Sequence, residues 1–177
     1  DDTLQIGFPA TGWDGSVYSH YPLSEDTGST VSDVSGNSRD GTNQGCQQGQ
    51  TGLHNTTAYR FDANNSEFVD LPVQQVTGDQ VTVAAYIKPE HFSHYNDKAY
   101  MRLVCLGEDY RPVGLVPFAH DSGQWEPYFE VQAGGSRTTS GSPFSSIGPT
   151  TFSYDQWYSI VGRYDGSSVQ CWVNKIQ

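Results

Sequence analysis

Three residues with oxygen-bearing side chains, Asp33, Asn37 and Asp40, fall within one turn-rich segment of the sequence. Carboxylate and amide oxygens are ligands that Ca²⁺ prefers, and the backbone carbonyls of a loop complete its coordination. The segment therefore predicts a metal site at these three residues, with Ca²⁺ as the ion. The same residues also suit a second interpretation, in which Asp33 and Asn37 cap the turn through hydrogen bonds to nearby backbone groups.

Four aromatic residues that lie in or beside predicted loops are candidates for ligand binding: Tyr95, Tyr110, Trp125 and Tyr128. A half-exposed aromatic ring offers a flat apolar face to a pyranose ring and loses little side-chain entropy on binding. We therefore predict that these residues contact a glycan. The alternative is that most of them pack in the core or at its rim, because a chain with 13% aromatic residues uses many rings in its interior.

No arrangement of residues in the sequence is typical of an active site. Glu126 and Glu130 come nearest to the carboxylate pair of a glycosidase, which holds its two acids about 5 to 9 Å apart. Pro127 is predicted to interrupt their strand, so surface charges are the better interpretation. His91 and His94 have a spacing that binds zinc on a helix, but they follow a proline and are interpreted as part of a polar loop. We therefore predict that the protein is not an enzyme.

The charge balance excludes two classes of partner. The sequence has 20 Asp and Glu residues against 9 Lys and Arg residues, which gives a formal net charge of −11. Nucleic acids and anionic membrane surfaces both attract clustered cations, so neither is a predicted partner. No apolar run is long enough to insert into a membrane. Such a balance is typical of an acidic extracellular protein or of a halophilic one, and the sequence leaves both open.

The three cysteines, Cys46, Cys105 and Cys171, allow one intramolecular disulfide at most. Cys105 and Cys171 both lie in runs that are typical of strands, so a bond between neighbouring strands is one interpretation. Buried free thiols are the other interpretation, and the sequence does not decide between the two.

The elements that must position these residues are predicted to be strands joined by turns. Apolar and polar residues alternate in short runs separated by Gly, Ser and Asp, and no window has the apolar periodicity of a helix. The predicted strands are 17–23, 58–61, 67–71, 80–88, 100–106, 113–118, 128–133, 157–164 and 169–176. Residues 42–56 are predicted to form a surface loop, and Asp165-Gly166 a hairpin turn. The pattern predicts one all-β domain at residues 16–177, a two-sheet antiparallel β-sandwich, after an irregular lead-in at residues 1–15.

Several segments of the chain occur in the order of a known family. They read Y-P-L-S-E-D from residue 21, D-V-S-G-N-S-R-D-G from residue 33, V-T-V-A-A-Y-I-K-P from residue 81 and W-Y-S-I-V-G-R-Y-D-G from residue 157. Over residues 18–174 the chain resembles a LamG-like jelly-roll domain of the concanavalin A-like lectin/glucanase superfamily. The resemblance implies a jelly-roll sandwich and strengthens the expectation of Ca²⁺ at the Asp33 segment.

The resemblance and the absence of a catalytic motif together predict a non-enzymatic recognition module. It is expected outside the cell or on a surface, as an adhesin or lectin that binds a glycan or a cell-surface protein. Relatives continue beyond the position of Gln177 with further strands, so we expect either a fragment or a chain that receives a strand from a partner. The second case supports an alternative function, a structural subunit of a virion surface, tail fibre, pilus or filament that forms homo-oligomers or larger assemblies. A carbohydrate-active enzyme is the least favoured alternative, because only superfamily membership suggests it.

Overall fold

A computed structural model describes residues 17–62, 65–72, 80–90, 104–106, 113–119, 125–133, 136–139, 146–147 and 153–176. Apart from one 3-10 turn at Leu53–Asn55, the regular structure of these residues consists of strands. The strands are β1 Thr30–Val31, β2 Gly41–Gln44, β3 Gln47–Thr51, β4 Thr57–Arg60, β5 Phe68–Asp70, β6 Val81–Ile87, β7 Val104–Leu106, β8 Val113–Ala119, β9 Trp125–Ala133, β10 Ser136–Thr139, β11 Ser146–Ile147, β12 Tyr158–Tyr164 and β13 Val169–Lys175. None of the helical structure in these ranges is long and apolar enough to cross a membrane.

Two four-stranded sheets make up the C-terminal part of the fold. Sheet 1 has the strand order β10-β9-β8-β7, and sheet 2 has the order β11-β13-β12-β6. Neighbouring strands are antiparallel except β11 and β13, which run parallel. Two smaller sheets, β1-β2-β5 and β3-β4, lie in the N-terminal part of the chain.

Sheets 1 and 2 pack face to face around one apolar core, so this part of the molecule is a β-sandwich. Successive side chains of a strand point to opposite faces, so alternate residues of β6, β12 and β13 enter the core. Sheet 2 contributes Val83, Ala85, Ile87, Tyr158, Ile160, Cys171 and Val173, and sheet 1 contributes Val104 and Phe129. A Cβ atom added at Gly162 would overlap the Phe129 ring, so this glycine lets the two sheets approach. The all-β sandwich predicted from the sequence is confirmed.

A second, smaller core lies in the N-terminal part of the chain. It consists of buried residues Tyr21, Leu23, Val31, Cys46 and Tyr59, against which Phe61, Val69 and Leu71 pack. These side chains come from β1, β4, β5 and the segments that flank the strands. The two small sheets therefore share one apolar centre.

The structure corrects two predictions in the N-terminal part. Residues 17–23 are not a strand, because only Tyr21 makes an isolated bridge and Leu23 has a φ of 54°. The alternation that suggested a strand reflects the burial of these two side chains. Residues 42–56 are not a surface loop, because most of β2, all of β3 and the 3-10 turn lie there. These strands are rich in Gln, Asn and Thr, and no side chain of β3 is fully buried, so no apolar alternation marks them.

The predicted strands of the sandwich are present with shifted ends, and β9 starts three residues before its predicted start. It begins at Trp125, and Pro127 lies within it, opposite Pro117 of β8. Pro117 and Pro127 lie in the parts of β8 and β9 that extend past the residues paired with β7 and β10. Neither proline therefore removes a hydrogen bond to those outer strands. The prediction that Pro127 interrupts the strand is wrong.

Cys46 and Cys171 are buried free thiols, one in each core. Because Cys171 is free, the proposed disulfide between Cys105 and Cys171 is not formed, and the free-thiol interpretation is correct for the two described cysteines. Burial raises the pKa of both thiols from 9.0 to about 12, and the negative charge of Glu67 adds to the effect at Cys46. Both thiols are therefore protonated and unreactive near neutral pH.

Candidate ligand-binding site

Asp33 lies at the centre of a hydrogen-bonded loop that follows β1. Its Oδ1 accepts the backbone N–H groups of His20 and Ser35, both at 2.9 Å. Its Oδ2 accepts the Ser35 hydroxyl at 2.9 Å and the Arg39 backbone N–H at 3.1 Å. Two hydrogen bonds to each oxygen use the four acceptor positions of a carboxylate. The Asp33 side chain thus fixes the turn and ties it to His20.

Asn37 and Asp40 extend the same network. The side-chain amide of Asn37 donates to the backbone oxygens of Val17 and Tyr18 at 2.9 and 3.0 Å. Asp40 Oδ1 accepts the backbone N–H of Asp33 at 2.9 Å. These contacts hold the chain before Tyr21 against the loop, so the network joins two segments that are distant in sequence.

The loop does not offer Asp33, Asn37 and Asp40 as an open cation site. Partial burial alone would raise the pKa of Asp33, but the hydrogen bonds from His20, Ser35 and Arg39 outweigh it and hold the pKa below its ordinary value of 3.8. Among the described residues no group of three His, Cys, Asp or Glu side chains is placed to hold a metal ion. The hydrogen bonds that Asp33 accepts from the backbone N–H groups of Ser35 and Arg39 agree with the interpretation in which its side chain caps the turn. Ca²⁺ at this loop stays a prediction, and it requires the ion to displace these hydrogen bonds.

The four aromatic residues predicted to bind a ligand fall into two groups. Trp125 and Tyr128 lie within β9, Trp125 as its first residue. Tyr95 and Tyr110 lie outside the described residues, as does the segment with His91 and His94. Ligand binding by these four aromatic residues therefore stays a prediction.

Glu126 and Glu130 also lie in β9, where they pair in register with Phe118 and Gly114. Four residues of strand separate their Cα atoms by about 13 Å. A glycosidase holds its two carboxyl groups about 5 to 9 Å apart. The backbone separation therefore favours the interpretation of the two glutamates as independent charges.

The residues that the structure does bring together lie on the outer face of sheet 2, which points away from the sandwich core. Cross-strand pairing sets them in rows. Tyr86, Ser159 and Asn174 form one row, and Ala84, Val161 and Trp172 form the next. Since the inward residues of the same strands are buried in the core, these alternate residues are the ones left to face outward.

These two rows line a half-open depression of about 270 Å³. Ala84 and Val161 are short and make its floor, while the Tyr86 and Trp172 rings stand on either side of β12. Strand spacing and rise place the Cα atoms of the two aromatic residues about 12 Å apart. Ser159 and Asn174 add a hydroxyl and an amide at the same end as Tyr86. The depression thus combines apolar ring faces with neutral hydrogen-bonding groups.

The sequence analysis did not select Tyr86 and Trp172, although the signal for them was present. Alternation in strand 80–88 puts Tyr86 on the face opposite Val83 and Ala85. The observed hairpin has a four-residue connection, 165–168, which aligns Trp172 with Val161, whereas a two-residue turn at Asp165-Gly166 would have aligned Gln170 with Val161. Alternation in the three predicted strands would have put Tyr86, Val161 and Trp172 on one face, but it would not have given their alignment in rows.

Comparison with known proteins assigns the chain to a family. A laminin G family model, described as concanavalin A-like lectin/glucanases superfamily, matches residues 62–177, about two thirds of the chain. The chain belongs to this family. Laminin G domains are often binding modules without catalytic activity. No curated protein and no solved structure gives a significant match. The laminin G match contains the sandwich and the depression on sheet 2, whereas the Asp33 loop lies before it.

Proposed function

We propose that this protein is a non-enzymatic recognition module that binds a glycan or a protein outside the cell or at a cell or virion surface. The observation that carries the proposal is the depression between Tyr86 and Trp172. The rings supply apolar contact area at low entropy cost, and the Ser159 hydroxyl and Asn174 amide supply directional hydrogen bonds. The lining contains no Asp, Glu, His, Lys or Cys side chain, so its composition suits binding.

The test compares ligand binding by three purified proteins on a glycan array and on a surface-protein display. They are the wild type, the double variant Tyr86→Ala/Trp172→Ala, and the control Phe68→Ala, which removes an aromatic side chain that is 52% exposed in β5. We expect the double variant to lose binding and the control to keep it, with thermal unfolding used to show that both are folded. A wild type that binds nothing on either platform, or a double variant that binds normally, would contradict the proposal.

A second candidate function, a subunit of a virion, fibre or filament, is supported by the edge of sheet 2. Among the described strands β6 pairs only with β12. The seven residues of β6 contain no charge and no proline, two of the features by which edge strands usually prevent pairing with another chain. Light scattering after size-exclusion chromatography in low and high salt tests this candidate. A salt-stable oligomer supports it, and a monomer in both conditions excludes it.

A further inference from the structure

The turn between β3 and β4 carries a sequence motif that the recognition function does not use. Residues 55–57 read Asn-Thr-Thr, which fits the Asn-X-Ser/Thr pattern of N-linked glycosylation. A second such triplet, Asn64-Asn65-Ser66, begins at a residue outside the described ranges. Such triplets also arise by chance in a chain rich in Ser and Thr, so the first one has to be judged from the structure around it.

The turn is held by hydrogen bonds and presents Asn55 to solvent. The Gly52 N–H donates to the Thr56 carbonyl oxygen at 2.7 Å, and the Thr56 N–H donates to the Leu53 carbonyl oxygen at 3.1 Å. The Thr56 hydroxyl donates to the same Leu53 oxygen at 2.7 Å. A Cβ atom added at Gly52 would lie 2.8 Å from the Thr56 hydroxyl oxygen, so the turn is also tightly closed. These contacts fix the backbone on both sides of Asn55, which is itself exposed.

The Asn55 side chain differs from other asparagines of the N-terminal part because it makes no structural contact. The side-chain amides of Asn37 and Asn43 each donate to a backbone carbonyl oxygen at 2.9 Å. That of Asn65 donates to the Glu67 carboxylate at 3.3 Å. Within the described part of the chain no hydrogen bond involves the Asn55 side chain. Its amide nitrogen can therefore be modified without the loss of a native contact.

Thr57 supplies the hydroxyl that the motif requires. It is the half-buried first residue of β4 and pairs with Thr51 of β3. None of the hydrogen bonds among the described residues uses its hydroxyl. The left-handed φ of 61° at Asn55 favours asparagine in any protein, so this residue alone says little about modification. The discriminating feature is the hydroxyl of Thr57, two residues further on.

We propose that Asn55 is a glycosylation site, used when the protein passes through a secretory pathway that attaches N-linked oligosaccharides. In the transfer, Nδ2 of Asn55 forms a bond to C1 of the first sugar and loses one proton. The bond between that C1 and the diphosphate of a lipid-linked oligosaccharide donor breaks, and the lipid diphosphate leaves. The inference rests on the proposed extracellular location, whereas it does not depend on what binds to sheet 2.

The test produces the full chain behind a secretion signal in a eukaryotic cell that carries out N-glycosylation. The wild type is compared with Asn55→Gln, Asn64→Gln and the double variant. An amidase that removes N-linked glycans leaves aspartate at each modified position, and peptide mass spectrometry locates it. We expect a glycan at Asn55 in most molecules of the wild type and of Asn64→Gln. Protein from the medium and from the secretory compartment is analysed, so retention of the chain inside the cell does not hide the result.

Variants of the neighbouring threonines separate the motif from the turn. Thr57→Ala keeps Asn55 but removes the required hydroxyl, so the glycan at Asn55 should be lost. Thr57→Ser should restore at least part of it. The matched control is Thr56→Ala, which removes the hydrogen bond to Leu53 but keeps the motif, and it should still be modified. Thermal unfolding should occur at the same temperature in the glycosylated and the deglycosylated wild type, because the Asn55 side chain makes no contact that a glycan would break.

Three outcomes overturn the inference. They are a wild type with unmodified Asn55, a glycan that persists at Asn55 in Thr57→Ala, and a glycosylated protein that unfolds at a markedly lower temperature than its deglycosylated form. Each of them leaves the proposed recognition function standing, because ligand binding is measured separately. A protein that is glycosylated at Asn55 but binds no ligand would instead contradict the recognition function alone.

Discussion

The two parts of the described chain are stabilised by different kinds of interaction. In the sandwich, Phe129, Ile160 and Val173 are fully buried between two sheets, and their contacts are apolar. In the N-terminal part, residues 17–72, carboxylates join distant segments. Glu25 accepts the Ser32 N–H and the Tyr59 hydroxyl, as Asp33 does for its own four donors.

The difference implies that the two parts are sensitive to different changes. An apolar interface depends on volume and shape, so a single added or removed carbon group perturbs it at any pH. A carboxylate network depends on ionisation, so acid or removal of one carboxylate weakens it. Variants that change only the apolar packing or only the carboxylate network can therefore distinguish the stability of one part from that of the other.

The largest effect is expected at the contact between Phe129 and Gly162. Phe129→Ala should lower the free energy of unfolding by about 3 to 5 kcal/mol, because it leaves a cavity between the sheets. Gly162→Ala should also destabilise, by about 1 to 3 kcal/mol or more, because its Cβ overlaps the ring. In the Phe129→Ala background the same methyl group enters the cavity, so Gly162→Ala should cost far less there. Urea unfolding of the four proteins measures this coupling, and additive effects would show that the two residues do not touch.

Alkylation of the two buried thiols is expected to report the unfolding of each part separately. A pKa of about 12 lowers the reactive thiolate fraction about a thousandfold near neutral pH, so Cys46 and Cys171 should resist alkylation in the native state. As urea is added, Cys46 should become reactive first, because it lies in the smaller core. Peptide mass spectrometry after pulse alkylation gives each midpoint. Identical midpoints would show that the two parts unfold as one unit.

A smaller effect is expected from Asp33. Asp33→Ala removes four hydrogen bonds and should lower the free energy of unfolding of the N-terminal part by about 1 to 3 kcal/mol. The exposed residue Asp26 provides the control Asp26→Ala, which should be nearly neutral. The Cys46 midpoint is the readout, and an unchanged midpoint would contradict the role of the network.

The contribution of Asp33 should depend on pH in a defined direction. Its pKa is lower in the folded state than in the unfolded chain, so the stabilisation is complete above the unfolded value near 4 and is lost as the pH falls below it. The difference between wild type and Asp33→Ala should therefore shrink in acid. If Ca²⁺ binds at this loop, adding it at neutral pH should raise the wild-type midpoint, and Asp33→Ala should abolish the rise. An unchanged midpoint would favour the capping interpretation.

The comparison also explains how much could be predicted from sequence. Alternating apolar residues mark a strand only when one of its faces is buried, so β6, β12 and β13 were found and β3, with no fully buried side chain, was missed. The Asp33 segment was recognised as a capped turn or a metal site. Its contact with His20 depends on how two distant segments dock, and no local pattern contains that information. The outer-face rows lie between these cases. Their strands were predicted, but their alignment depends on the four-residue connection 165–168, which the Asp165-Gly166 pattern did not predict.

The smallest effect is expected at the ion pair that links the two parts. Arg60 Nε of β4 lies 2.7 Å from Glu90 Oε2, just after β6, with the two side chains 34% and 27% exposed. Such a partly exposed pair contributes at most about 1 kcal/mol. Arg60→Met keeps the aliphatic length and should lower the Cys46 midpoint slightly while leaving the Cys171 midpoint unchanged. If the link couples the two unfolding events, removing it should widen the gap between the midpoints. A loss of more than about 2 kcal/mol would show that the pair is stronger than its exposure implies. An equal shift of both midpoints would mean that the two parts form a single cooperative unit.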